Sequence, residues 1–133
     1  MVRATTRANY SAMAKEADIQ TGIRELLTYM GIPHSITDAA RSWTQDGRVA
    51  SKKVDDGWPD LSAVIPFGPL RGIALFIETK SARGGYQPGQ RECHAMLRAA
   101  GAVVLVPRSI ADFARKMIES GIDHNLLRQV SGE

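Results

Sequence analysis

At 133 residues, with 44% hydrophobic and 23% charged residues, the chain has the make-up of one ordinary globular domain with a core of its own. A formal net charge of +3 suits a polyanionic partner without requiring one. One cysteine excludes an intramolecular disulfide and fits a reducing compartment. The longest apolar runs, Ile73 to Ile77 and Ala102 to Val106, are far too short to span a bilayer.

Residues 1–10 are basic and polar with no signal-peptide apolar region, and read as a loose arm preceding a single domain that fills residues 1–133. From about Ser11 to Met30 the apolar residues Ile19, Ile23, Leu26, Leu27 and Met30 recur at helical spacing, and Gly31 and Pro33 close the helix. At about 100° per residue, Glu16 falls inside this apolar stripe while Asp18 points away from it. A carboxylate on a core-facing stripe is costly unless something pairs with it. Two readings of Glu16 stand at this point: a frayed first turn open to water, or a side chain aimed at a basic or metal site built by the sheet.

From Ile32 to Gly57 the chain is polar, with Asp46-Gly47 as a turn signal and a strand or hairpin expected around Ser35 to Val49. Arg41, Arg48, Lys52 and Lys53 make this segment basic, either as a solvated loop or as a phosphate-contacting one. Trp43 fits a core cap or a base-stacking platform. Trp58 precedes Pro59 and is therefore extended. Asp60 to Ile65 reads as a short strand closed by Pro66, and the turn chemistry of residues 67–72 returns the next strand antiparallel. Ile73 to Ile77 is continuously apolar, as a strand covered on both faces should be, and then gives way abruptly to Glu78-Thr79-Lys80.

Ser81 to Gln87 reads as a flexible loop containing Arg83, and Pro88 fits the first turn of a helix. Cys93, Met96, Leu97 and Ala100 define that helix's apolar stripe, with Gln90 near its edge and His94 outward on the surface. Cys93, at the stripe's centre, reads as a buried small hydrophobe rather than a nucleophile. Ala102 to Val106 is another buried strand. Ser109 is an N-cap with Asp112 at the third helical position, and Ile110, Phe113, Met117 and Ile118 face the core before Gly121 ends the helix. Asp123 to Val130 adds a last helical turn or two. The order predicts an α/β fold: a mixed central sheet flanked by helices.

Side chains alternate along a strand, so Glu78 and Lys80 project from one face, about 7 Å apart. Together with Asp60 at the neighbouring strand's entry, they collect two carboxylates and an ammonium at strand ends. Such a set suits a divalent cation and a phosphate: a carboxylate pair holding Mg²⁺ or Mn²⁺ activates a phosphoryl oxygen and a water, and a lysine orients or deprotonates that water. The chain has no Gly-x-Ser-x-Gly elbow, glycine-rich phosphate loop, His-Glu-x-x-His or Cys-x-x-Cys motif.

Five segments in order carry a resemblance to a known family: Glu16-x-x-Ile19-Gln20, Gly57-Trp58-Pro59-Asp60-Leu61, Phe76-Ile77-Glu78-Thr79-Lys80, Gln90 after a glycine-containing loop, and Gly101-Ala102-Val103-Val104. Spanning about Lys15 to Phe113, they resemble the VRR-NUC branch of the PD-(D/E)xK nuclease superfamily, in the compact stand-alone form common in phages. The resemblance implies a restriction-endonuclease-like core and hydrolysis of DNA phosphodiester bonds with Mg²⁺ or Mn²⁺. By it, Asp60, Glu78 and the Thr79 backbone carbonyl bind the metal and Lys80 acts on the water. Glu16 and Gln90 complete the catalytic set. Apart from the resemblance, the positive charges of Lys52, Lys53 and Arg83 make them candidate DNA contacts. The resemblance further implies a homodimer acting on branched DNA such as a four-way junction, with a nicking or restriction-like nuclease, or a non-catalytic DNA-binding protein, as alternatives. If the chain is phage-encoded, the compartment is the cytoplasm of a bacterial host. The family often places an apolar residue where this chain has Thr79. That side chain faces the strand's other side, so little effect is expected. Residues 34–56 match no part of the family pattern.

Overall fold

The computed structural model describes residues 15–37 and 57–132. Helix α1 (Glu16–Tyr29) leads into β1 (His34–Ile36), followed by β2 (Leu61–Val64), β3 (Ala74–Ile77), α2 (Gln90–Ala99), β4 (Val103–Leu105), α3 (Ile110–Glu119) and α4 (Asn125–Ser131). The four strands form one sheet in the order β1-β2-β3-β4. The first two pairings are antiparallel and β3 runs parallel to β4, so the sheet is mixed, as expected. Among the described residues no helix is long and apolar enough to cross a membrane.

Period-two alternation divides the sheet between two cores. Leu61, Ala63, Leu75, Ile77 and Leu105 point to one face, against Ile19, Ile23, Leu26 and Leu27 of α1 and Phe113, Ala114, Met117 and Leu127 of the last two helices. Phe76 and Val104 point to the other, where Cys93 and Leu97 of α2 and Trp58 cover them. The Trp58 and Phe76 rings meet edge to face, 5.4 Å between centroids. Each Leu or Ile buried by α1 is worth about 1.5–3 kcal/mol, so tertiary burial rather than propensity holds that helix. Its end follows the sequence: Gly31 adopts φ +72°, and Ile32 N–H donates to Leu27 O at 2.9 Å.

Ser109 caps α3, its Oγ accepting from Asp112 N–H at 3.0 Å, while Asp112 Oδ2 accepts from Arg108 N–H at 2.9 Å. The α2 region departs from the sequence reading in three ways. The helix begins at Gln90 with Gly89 as its N-cap, so Pro88 lies before it rather than in its first turn. Its buried face is Gln90, Cys93, His94 and Leu97. Met96, expected in the stripe, is 61% exposed, and Ala100 is exposed as well. His94, expected at the surface, is 1% exposed. The stripe is turned toward the N-terminal end of the helix because the loop before it, carrying Tyr86, folds over His94 with ring centroids 5.8 Å apart. In α3, Ile110 is partly exposed rather than fully core-facing.

Candidate active site

The site forms where β2 and β3 part company. The last β2–β3 pair is Leu61 with Ile77. Beyond it, Asp60 turns its carbonyl to β1, accepting from Thr37 N–H at 2.8 Å, and its Oδ2 accepts from Thr79 N–H at 3.0 Å. On the other side the pairing with β4 continues: Glu78 N–H donates to Leu105 O at 2.9 Å and Lys80 N–H to Pro107 O at 3.1 Å. Glu78-Thr79-Lys80 thus stays extended after the strand proper has ended. Its alternation sends Glu78 and Lys80 to the α2 face and the Thr79 side chain to the opposite, fully buried one. In extended backbone a residue's N–H and C=O point the same way, so the Thr79 carbonyl is turned toward Asp60 too.

Glycine at position 57 is what lets the Pro-Asp segment reach this place. Gly57 has φ +87°, and a Cβ there would stand 2.4 Å from Gly89 O, inside the backbone that starts α2. This contact brings the N-terminus of α2, and with it Gln90, against the site.

Lys80 and Glu78 are each 3% exposed, an uncommon degree of burial for charged residues. Lys80 Nζ donates to Gln90 Oε1 at 2.7 Å and lies 3.7 Å from Glu78 Oε2. Gln90 Oε1 also accepts from Gln87 N–H at 2.7 Å, and two donors on one atom fix the orientation of the amide. The Lys80 ammonium is 5.8 Å from the centre of the Tyr86 ring, whose face carries the Arg91 guanidinium at 4.1 Å.

The carboxylates pay for this proximity. Burial, then the charge of Asp60, push Glu78 up to about 8, against the pull of Lys80. Asp60 is raised as well, chiefly by burial, with the Thr79 N–H bond holding it back. Two carboxyls this close disfavour ionising together, so Glu78, at about 8, keeps its proton at neutral pH. Glu78 Oε1 is buried without a hydrogen-bond partner among the described residues. An orphaned carboxylate oxygen beside a second carboxylate is what a hard divalent cation would satisfy, and oxygen donors are its preferred ligands. Among the described residues no three His, Cys, Asp or Glu side chains converge as a ligand set. The donors here are two carboxylates and a backbone carbonyl.

Glu16 resolves its two readings by meeting part of each. It is exposed at the first turn of α1, yet its Oε1 accepts from Ser81 N–H at 3.4 Å, and its charge reaches both site carboxyls. Arg83 is exposed on the loop after Lys80, and Lys52, Lys53, Arg41, Arg48 and Trp43 lie outside the described residues. Two residues near the site escaped sequence reasoning. Arg108 Nη1 donates to Ser81 O at 2.7 Å and Gly84 O at 2.6 Å, pinning the loop that follows Lys80. The parallel pairing of β3 and β4 was the available signal, since it sets the residues just past β4 beside those just past β3. His94, one turn after Gln90, has no hydrogen-bond partner on either ring nitrogen among the described residues. Burial, then Arg98 and Lys80, lower its pKa and keep it neutral.

The chain is similar to a solved structure described as a VRR_NUC domain, with a TM-score of 0.53 and 27% sequence identity over 78% of this chain and 94% of that one. No family model matches the sequence, and neither does any curated protein.

Proposed function

We infer, from the similarity of this chain to a VRR_NUC domain together with the Asp60, Glu78 and Lys80 cluster, that it is a nuclease that hydrolyses DNA phosphodiester bonds with a divalent cation held by Asp60, Glu78 and the Thr79 carbonyl. The observation that carries this reading is the pairing of half-buried Asp60 with buried Glu78, with Lys80 Nζ 3.7 Å from Glu78. Mg²⁺ or Mn²⁺ in that place supplies Lewis-acid polarisation of the phosphoryl oxygen and acidifies the attacking water. The chain's own residues do the rest. Thr79 N–H holds Asp60 in a fixed rotamer as a ligand. Gln90 holds the Lys80 ammonium where it orients the water and offsets the charge that builds on the phosphate. Glu16, tied to Ser81 N–H, supports the loop at the mouth of the site, and Gln90 acts through Lys80.

The substrate we propose is branched DNA, cut by a homodimer. Two copies set two sites on two strands of one symmetric substrate, which a chain of 133 residues can hardly embrace alone. The reading is tested by incubating the protein with four-way, flap and linear duplex DNA, with and without Mg²⁺ or Mn²⁺. Cation-dependent cutting of the four-way substrate is expected, with a two-subunit mass in sedimentation. Uniform cutting of linear DNA would overturn the branched substrate, and a monomer that resolves junctions would overturn the dimer. Lys80→Ala should lower the cleavage rate by about 10²–10⁴-fold, the usual worth of a positioned general acid or base. Wild-type cutting by that variant would remove Lys80 from the chemistry.

A further inference from the structure

A second basic feature lies across the loop from the carboxylates. Tyr86, Arg98, Arg108, Lys116, Glu119 and Ser120, over the Val104–Val106 backbone, line an open groove of about 340 Å³. Three cations face one carboxylate here. Arg98 donates one Nη2 bond to Val104 O at 2.9 Å, and Arg108 spends Nη1 on the Ser81 and Gly84 carbonyls. A guanidinium has five N–H donors, so both keep several for a ligand. Lys116 is held by Asp112 at 2.9 Å with its side chain 37% exposed. The groove is close to the reaction site: Tyr86, one of its walls, has its ring centre 5.8 Å from Lys80 Nζ, and Arg108 grips the loop that follows Lys80. Successive phosphates of one DNA strand are spaced by about 3.4 Å of helix rise, so a strand leaving the carboxylates passes this groove within a few nucleotides.

We propose that the Arg98–Arg108–Lys116 groove is a second phosphate site, which seats a phosphodiester of the bound DNA strand beside the one that is cut. The proposal rests on the nuclease reading and adds a contact that none of the five motif segments contains. It also gives Arg108 two roles on one side chain, since the residue that meets the flanking phosphate is the residue that fixes the loop beside Lys80.

The experiment measures the affinity of a fluorescently labelled four-way DNA in EDTA over a range of KCl concentrations, for the wild type, Arg98→Gln, Lys116→Gln and the off-groove control Arg71→Gln. Arg71 is exposed on the β2–β3 turn, at the opposite end of β3 from Glu78. Each groove variant should flatten the slope of log K against log salt by about 0.9, the release expected for one lost phosphate contact, and bind about fivefold more weakly. The control should keep the wild-type slope. In cleavage assays with Mg²⁺ the loss should appear in KM rather than kcat. Wild-type slopes in both groove variants, or equal flattening by the control, would overturn the groove while leaving the nuclease reading intact. A wild-type protein that cuts no DNA with either cation would overturn the nuclease reading itself. Arg98 is exposed and Lys116 half-exposed, so two separate variants guard against one that fails to fold.

Discussion

Replacing Glu78 with glutamine should make the cation-free protein more stable, by an amount that depends on pH. A carboxyl moved from 4.5 to about 8 is destabilising once ionised. At about 1.4 kcal/mol per pK unit the upper bound is about 5 kcal/mol. Asp60 beside it is only half-buried, and solvent screening there brings the expected value to about 2 kcal/mol. Between about pH 4.5 and 8 the folded protein keeps a proton at Glu78 that the unfolded chain has released, so wild-type stability attributable to this group falls as pH rises. His94, lowered from 6.5, works the other way, and Asp112, lowered from 3.8, adds stability above its own range. Both contributions cancel when variant and wild type are compared at each pH. At pH 5 glutamine replaces an uncharged acid and the two proteins should melt together. At pH 8 Glu78→Gln should melt about 6–10 °C higher, at about 3–5 °C per kcal/mol for a domain of this size. Mn²⁺ should raise the wild-type midpoint at pH 8 and leave the variant's nearly unmoved. A gap between the two proteins that is the same at pH 5 and pH 8 would refute the reasoning.

Thr79→Val should stabilise the protein by about 1 kcal/mol, because Thr79 Oγ1 is buried without a hydrogen-bond partner among the described residues. Denaturant titration reads the change, and cleavage should be retained because the side chain faces away from the carboxylates. Gly57→Ala should lower stability by about 3 kcal/mol or more, since alanine meets both a left-handed backbone and the Gly89 carbonyl. A near-wild-type denaturation midpoint would show that the two segments part without consequence.

Much of the sheet and the carboxylate cluster was legible in the sequence. The unbroken apolar run before Glu78 marked a strand covered on both faces, and period two put Glu78 and Lys80 on one side of it. The turn residues between Pro66 and Ile73 foretold the antiparallel return. What escaped was decided by contacts that side-chain patterns do not encode. The α2 stripe was set one step off because His94 counts as polar, whereas here the Tyr86 loop buries it. Arg108 reaches the loop through backbone carbonyls, which every residue has. Gly57 stands in the sequence only as the first residue of a motif segment, and only the approach of Gly89 shows what its missing side chain makes room for. The basic residues between 38 and 56 lie outside the described residues.

The two amides of Glu78 and Lys80 are held by the carbonyls of Leu105 and Pro107, whereas Asp60 holds the intervening Thr79 amide through its side chain. The two borders of the site therefore answer to different rules of inheritance. On the β2 border one carboxylate does the holding, and few exchanges are tolerated. On the β4 border any residue that stays extended offers the same carbonyl, even a proline with no N–H to give. The side chains of residues 105 and 107 are thus free of any part in these hydrogen bonds, and it is the packing of Val104 and Leu105 into the two cores that holds their apolar character.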